Sequence, residues 1–248
     1  LSSILDSNFK EVVFSLLMLS SFFSLFLTYN LIFITKKNIN FFQEDIYLLI
    51  YLIFLLVIFY LFFNFDYNFS KIFLSLASSI SNIGISLNTT NKDLSFIFLI
   101  LVMIGGSFFS TSSGIRFLKL YSLFKFSINE LTSLTRPKNI FINKLSYSAE
   151  NLSNSDISKY FLSLLIFILS LITLTSILTI LDIEFEKSFK LSILTLMNTT
   201  NSSMYGLNDF NFQELSFYSK YYLIFFMIIG RVELVTLLII FKKFLFKN

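Results

Sequence analysis

The sequence predicts an all-α integral membrane protein with five membrane-spanning helices and two re-entrant half-helices. Hydrophobic residues make up 55% of the 248 residues, and charged residues make up only 14%, about half of their usual share in a soluble domain. A chain of this composition has too few polar residues to cover a surface that faces water. The second observation is the pattern of apolar segments, which have the length of membrane spans and follow one another in a repeating order.

Two missing residue types narrow the chemistry that the chain can perform. It contains no Cys, so it has no disulfide, thiolate metal site or Cys nucleophile, and it contains no His, so it has no imidazole base. We therefore predict that it is not an enzyme. The net charge of +4 does not indicate nucleic-acid binding, because the charges lie between apolar segments and form no separate basic patch.

Long apolar stretches mark the spans, because a helix needs about 20 apolar residues to cross the hydrocarbon core. The five predicted spans are 12–35, 46–63, 94–126, 157–181 and 217–246. Two further segments, 69–81 and 188–200, are too short to span and are rich in Ser and Thr. Such lengths suit re-entrant half-helices, which are tolerated only where protein or a water-filled cavity surrounds them.

The order of these segments indicates an internal repeat. A span, a half-helix, a polar stretch and a second span occur in the region 46–127 and again in the region 157–248, and a linker at 128–156 joins them. The region 1–45 has no partner and is interpreted as the last helix of a preceding repeat with its connecting link. Interrupted segments at corresponding positions of two repeats point to a substrate site.

The basic residues predict the orientation of the chain. One set of segments holds eleven Lys or Arg and five acidic residues, and the other set holds six basic and nine acidic residues. The positive-inside rule places the first set in the cytoplasm and both polar stretches outside. The first set is 36–45, 116–156 and 242–248, and the second set is 1–11, 64–93 and 182–220.

A polar turn follows each predicted half-helix. In the first turn, Gly84 would allow a backbone conformation that side chains disfavour, so that carbonyl groups turn inward and replace the water around a cation. The negative C-terminal end of the half-helix would point at the same cavity. The alternative is an ordinary polar turn at the membrane surface. The candidate filter residues are Ser81, Asn82, Ile83, Gly84 and Ile85 in the first turn and Thr200, Asn201, Ser202 and Ser203 in the second.

The third span is interrupted near its middle. Adjacent glycines, several Ser or Thr residues and a further glycine cannot form a good continuous helix. We expect an unwound loop that lines water, and the alternative is a helix-packing face of small residues. The candidate residues of this loop are Gly105, Gly106, Ser110, Thr111, Ser112, Ser113 and Gly114.

The last span contains two charged residues near its middle, Arg231 and Glu233. A charge inside a span is costly and is a functional hypothesis by default. The two residues point to different faces of a helix, so each needs its own partner. We expect Arg231 to donate to carbonyls of the interrupted span and to repel cations there. The alternative is a structural ion pair with an acidic residue on another helix.

Three segments together resemble one known family. Residues 104–116 read IGGSFFSTSSGIR, residues 135–140 read TRPKNI, and residues 230–234 read GRVEL. In order and spacing they are similar to the intramembrane loop, the cytoplasmic His-Pro-Arg segment and the Gly-Arg-Leu-Glu segment of the TrkH/KtrB/HKT superfamily of potassium transporters. The resemblance covers essentially the whole chain and matches the C-terminal half of a TrkH-like protein.

The resemblance implies potassium-channel-like repeats, each with a helix, a pore half-helix and a helix, four of them around one pore. Gly84 matches the filter glycine of the third repeat, and Ser202 falls at the filter-glycine position of the fourth. A potassium ion is therefore expected at Gly84 and Ser202, although the serine departs from the family pattern and puts strict potassium selectivity in doubt. Arg231 matches the arginine that faces the loop and lower pore, and Arg116 matches a basic residue that ends the loop.

The implied function is the transmembrane uptake of potassium, with sodium as the other candidate ion, down or together with an ion gradient (symport). No cofactor beyond the transported ion is expected. The implied surroundings are a multi-pass position in the cell inner membrane, contact with lipid, a homodimer and a cytosolic nucleotide-binding regulatory subunit, without nucleic acid. The alternative is a truncated or degenerate membrane scaffold that does not conduct.

Overall fold

The computed structural model describes residues 7–23, 39–62, 69–85, 95–107, 110, 112–135, 154–199, 203–207, 210–213 and 215–231. The described part is all-α apart from one pair of two-residue parallel strands and one 3₁₀ turn. The helices are α1 (Asn8–Ser20), α2 (Ile39–Phe62), α3 (Phe69–Ile80), α4 (Ser95–Met103), α5 (Phe117–Thr135), α6 (Asn154–Ile180), α7 (Phe185–Leu196) and α8 (Phe217–Arg231). The strands are β1 (Ile104–Gly105) and β2 (Ile115–Arg116), and the 3₁₀ turn is Ser203–Tyr205.

Two of the described helices are long and apolar enough to cross a membrane, judged by length and composition alone. They contain the stretches Glu44–Leu61 in α2 and Asp156–Ile180 in α6. These stretches coincide with the predicted spans 46–63 and 157–181. The predicted span 94–126 is divided between α4 and α5 by the segment 104–116, as its glycines and serines indicate.

The first helix ends inside the predicted span 12–35, so the prediction of one continuous helix is wrong at this point. Ser7 is the N-cap of α1 and accepts a hydrogen bond from a backbone N–H of the first turn. The helix is followed by a turn at 21–23, and the hydroxyls of Ser20 and Ser21 each donate to a carbonyl three residues earlier. The second half of the predicted span, at 24–38, lies outside the described residues.

The two half-helices are alike in length and spacing. α3 and α7 each have 12 residues, and α7 begins and ends 116 positions after α3. α3 follows the prediction within one residue, whereas α7 begins three residues before the predicted segment 188–200 and ends four residues before its end. The earlier start reflects Glu184 and Glu186, which favour the positive end of a helix and pair with lysines within the first turns.

The half-helices lie inside the protein rather than on its surface. In both, most residues are buried, and each packs against longer helices: α3 against α1, α2 and α4, and α7 against α6 and α8. One large hydrophobic cluster joins side chains of α2, α3, α4, α6, α7 and α8, and a smaller one joins α1 to α3. This burial supplies the surrounding protein that a half-helix at membrane depth requires.

The last described helix touches the end of α7 backbone against backbone. A Cβ atom at Gly230 would overlap the carbonyl oxygen of Leu196, the last residue of α7. Just beyond α7, the Nδ2 atom of Asn198 donates to the carbonyl oxygen of Met227 at 3.1 Å. The position of α8 and the position of the turn after α7 are therefore linked.

The contact at Gly230 predicts a cost for any side chain there. Gly230→Ala is expected to destabilise the protein by about 1–3 kcal/mol, the usual cost of an extra group in a packed interior. Thermal unfolding in detergent measures the effect. Ile228→Ala is the control on the same helix, because Ile228 is exposed and its truncation removes no such contact. An unchanged unfolding temperature for Gly230→Ala would show that α8 does not rest on the end of α7.

Candidate functional site

Three backbone N–H groups after α3 converge on one serine. The N–H groups of Ile83 and Gly84 donate to the carbonyl oxygen of Ser78 at 3.1 and 3.4 Å, and the N–H group of Ile85 donates to Ser78 Oγ at 2.6 Å. Ser78 itself is completely buried. Successive N–H groups that point to one side of the backbone form a concave nest. The carbonyl groups of the same segment then point to the opposite side.

Two residues of this first polar turn have left-handed backbone conformations. The φ angle is 61° at Asn82 and 75° at Gly84. Asparagine and glycine are the residue types that adopt this region at least cost, which explains why both occur here. Among the described residues, no donor reaches the carbonyl oxygens of Asn82 or Gly84. These carbonyls can therefore serve as oxygen ligands at the negative end of α3.

The turn after α7 repeats this geometry at its start. Asn198 has a φ angle of 53°, and the following residue, Thr199, donates its N–H group to the carbonyl oxygen of Leu194 at 2.9 Å. Asn198 thus matches Asn82, and Leu194 matches Ser78. Counting onward from the matched asparagines, Gly84 corresponds to Thr200.

The sequence alignment instead places Gly84 opposite Ser202, two positions later than this count. The hydrogen bonds establish the correspondence of the two turns as far as Thr199, and the placement of Ser202 stays a prediction. Thr200, Asn201 and Ser202 lie outside the described residues, and Ser203 begins the 3₁₀ turn. In that turn the completely buried side chain of Tyr205 belongs to the large hydrophobic cluster.

Ser78 is a site residue that sequence reasoning missed. Its role depends on a hydroxyl in the last turn of the half-helix that reaches the backbone seven residues later. The only signal in the sequence is the pair of adjacent serines, Ser78 and Ser79, on a helix that is otherwise mostly apolar. The matching Leu194 has no hydroxyl, so the second turn cannot form the bond that Ile85 makes in the first.

Residues 104–116 form a loop, here called the Gly/Ser loop, that is closed at its base. Ile104 pairs with Ile115 and Gly105 with Arg116 in the parallel strands β1 and β2. Inside the loop, the Gly106 N–H group donates to Ser112 Oγ at 3.0 Å. The Ser112 hydroxyl thus cross-links the two arms of the loop.

Arg116 holds the Gly/Ser loop from its own C-terminal end. Its Nη1 atom lies within 3.3 Å of four oxygens: the carbonyls of Ser107, Ser110 and Ser112, and the hydroxyl of Ser110. One nitrogen has two hydrogens, so these contacts are shared. A guanidinium suits this task because its donors are always protonated and fixed in a plane.

The same loop also rests on the end of α1. The N–H groups of Ser107 and Ser112 donate to the carbonyl oxygens of Phe22 and Ser21 at 3.1 and 3.2 Å. A Cβ atom at Gly106 would overlap the Phe22 carbonyl oxygen. The last carbonyls of a helix lack partners within the helix, and here the loop supplies them.

Arg231, which is predicted to anchor the Gly/Ser loop, is exposed at the end of α8 and makes no hydrogen bond with the described residues of that loop. Over those residues Arg116 makes the anchoring contacts instead, because it lies at the end of the loop itself. Thr111 and Glu233 lie outside the described residues, and an effect of Arg231 on the electrostatics of a pore stays a prediction.

A family model described as TrkH, cation transport protein, matches residues 90–247 of the chain. The chain belongs to the TrkH cation transport family. This is a family of membrane transporters and not of enzymes, in agreement with both predictions from the composition. No curated protein sequence matches the chain.

The fold is also similar to that of a solved TrkH structure. The potassium transporter TrkH from Vibrio parahaemolyticus superposes with a TM-score of 0.79 at 20% sequence identity. The match covers 95% of this chain and 52% of the transporter, so the chain spans about half the length of that protein. At 20% sequence identity, this similarity shows a shared fold alone.

The assignment of the loop anchor can be tested by hydrogen exchange. Arg116→Gln removes a charged donor from the oxygens of the Gly/Ser loop, so amides at 105–115 are expected to exchange about tenfold faster or more, since each bond from a charged group contributes roughly 1.5–3 kcal/mol. Arg231→Gln is the control and is expected to leave these amides protected. The reverse pattern would return the anchoring role to Arg231.

Proposed function

We propose that this chain forms part of a membrane pore for the uptake of potassium, with carbonyl ligands in its filter and the Gly/Ser loop as its gate. The TrkH membership supports cation transport, and the potassium transporter of the same fold supports the choice of ion. One observation carries the mechanism. The N–H groups of residues 83–85 all donate to Ser78, and the carbonyl groups of Asn82 and Gly84 are the ones that we propose as ligands of an ion.

The proposed filter uses the half-helix as well as its carbonyls. The C-terminal end of a helix has a partial negative charge, and α3 ends directly at the first polar turn. A cation at the level of Gly84 would exchange hydration water for backbone carbonyls in this negative field. The ion is bound weakly enough to move on, because the ligands are neutral and the charge on the helix end is partial.

The second polar turn is proposed to complete the filter with a different geometry. Thr200 takes the position of Gly84, and a β-branched residue adopts a positive φ angle only with strain. The fourth quarter of the filter therefore cannot copy the first polar turn without cost. We propose that it discriminates potassium from sodium less sharply than a turn with glycine at this position would.

The proposed gate is the Gly/Ser loop. Its three attachments, the strand pair at the base, Arg116 and the end of α1, fix it in one conformation. A loop of backbone at membrane depth must be covered by protein or line water. This loop would be covered by protein when the gate is closed and would line water when it is open. Arg116 and Arg231 would add positive charge along the path and lower its occupancy by cations when the loop is closed.

The wider assembly is proposed from the family likeness alone. We propose a multi-pass position in the cell inner membrane, two pore repeats at 46–127 and 157–248, and a preceding repeat that ends in the region 1–45. A homodimer and a cytosolic nucleotide-binding subunit complete the proposal.

Growth and ion uptake test the proposed function. The transport protein that contains this chain should restore potassium uptake in a bacterial strain without potassium transporters. Deleting residues 110–113 should raise the rate of uptake, because it removes both the Ser110 and the Ser112 contacts to Arg116. Lys187→Gln is a control, since Lys187 forms only a surface ion pair on α7. An assembled protein that takes up no potassium would favour a non-conducting membrane subunit, and an unchanged rate after the deletion would mean that the loop does not gate.

A further inference from the structure

Two asparagines occupy equivalent positions directly behind the proposed filter. Asn82 and Asn198 each follow a half-helix, and each has a positive φ angle. The helix-ending hydrogen bonds around them are also the same, because each N–H group donates to a carbonyl three residues earlier. Glycine would adopt this conformation at no greater cost, so ending the helix does not by itself require an amide side chain.

A third helix end in the chain shows that this cap works without an amide. Asp182 follows α6 with a φ angle of 64°, and its N–H group and that of Ile183 donate to the carbonyl oxygens of Thr179 and Leu178, both at 3.2 Å. Asp182 is exposed, and the 12-residue helix α7 separates this cap from the second polar turn along the chain. It is therefore a natural reference for the two asparagines.

The amide groups of the asparagines extend beyond their own helices. Asn82 Nδ2 lies 3.5 Å from the carbonyl oxygen of Met197, in the turn of the other repeat. Asn198 Nδ2 lies 3.1 Å from the carbonyl oxygen of Met227 in α8. The Met197 carbonyl and the Asn198 N–H group belong to one peptide unit. The two contacts thus run in series from the first polar turn, through the second, to α8.

We propose that Asn82 and Asn198 form a brace behind the filter and act as positioning residues that set its ion selectivity. The proposal rests on the proposed function, because selectivity is defined only for a conducting pore. Neither side chain touches the ion. The brace keeps the two polar turns at a fixed separation. It also holds the second polar turn in a fixed position relative to α8.

The burial of Asn82 argues that its amide is kept for more than stability. The residue is 7% exposed, and its Oδ1 atom has no hydrogen-bond partner among the described residues. A buried acceptor without a partner costs free energy, which makes an amide a poor choice for filling this space alone. A role in positioning predicts that the Asn82→Gly protein stays folded and loses selectivity.

Flux ratios in proteoliposomes separate the two roles. The whole transport protein is reconstituted, and the uptake of rubidium, as a potassium substitute, is compared with that of sodium in the same vesicles. The ratio of the two rates does not depend on how much protein has folded. Asn82→Gly and Asn198→Gly keep the positive φ angle and remove the amide, and each is expected to lower the ratio about two- to tenfold, the effect of one lost hydrogen bond. Asn198→Asp, which sets an acceptor against the Met227 carbonyl, should lower it at least as far as Asn198→Gly.

The helix cap at Asp182 supplies the control for this experiment. Asp182→Gly changes the same backbone position outside the brace and should leave the ratio as in the wild type. The brace is disproved if the asparagine variants keep the wild-type ratio, and equally if Asp182→Gly lowers the ratio as much as they do. A wild-type protein that carries neither ion in either assay would refute the proposed function itself, which is a separate result.

Discussion

The hydrogen bonds that Ser78 accepts are the interaction on which the candidate filter depends. A turn at membrane depth leaves backbone N–H and carbonyl groups that the helix no longer pairs, and each unpaired group costs several kcal/mol in a hydrocarbon environment. Ser78 accepts three N–H groups from the turn, two on its carbonyl and one on its hydroxyl. The donors are satisfied by protein, and in the proposed filter the carbonyls of Asn82 and Gly84 would bind the ion.

The Gly/Ser loop meets the same constraint in a different way. Here the unpaired groups include carbonyls, and a guanidinium takes three of them while two loop N–H groups go to the end of α1. The loop is therefore held by charge on one side and by a neighbouring helix end on the other. A displacement of α1 would remove the contacts at Ser21 and Phe22 together. A movement of α1 would therefore change the position of the Gly/Ser loop.

Periodicity and composition were sufficient for the parts of the fold that follow from hydrophobicity. The spans 46–63 and 157–181, the half-helix at 69–81 and the break within 94–126 are all visible in the pattern of apolar and small residues. The end of α1 was not, since Ser20 and Ser21 sit in a sequence as apolar as a span. At that end the carbonyls of Ser21 and Phe22 accept hydrogen bonds from the Gly/Ser loop, a contact with a distant segment that the local sequence does not indicate.

The site was predicted less completely, because its geometry depends on individual hydrogen bonds. A turn does follow α3 at 81–85, whereas Ser78 looks in the sequence like any other helix serine. The alignment of Gly84 with Ser202 stays a prediction, because residues 200–202 lie outside the described part of the chain. The loop anchor was assigned to Arg231 because a charge inside a span is conspicuous. Among the described residues, Arg116 anchors the loop, because a residue within a loop can reach several of its carbonyls at once.

The central claim is that carbonyl groups at the end of α3 bind a monovalent cation that has lost its water. Anomalous diffraction from crystals of the whole protein grown with thallium or rubidium tests it most directly. We expect an anomalous peak beside the carbonyls of Asn82 and Gly84, on the side opposite Ser78, that weakens when sodium replaces the heavier ion. Peaks confined to the protein surface, with none at the first polar turn in a protein that is otherwise intact, would contradict it.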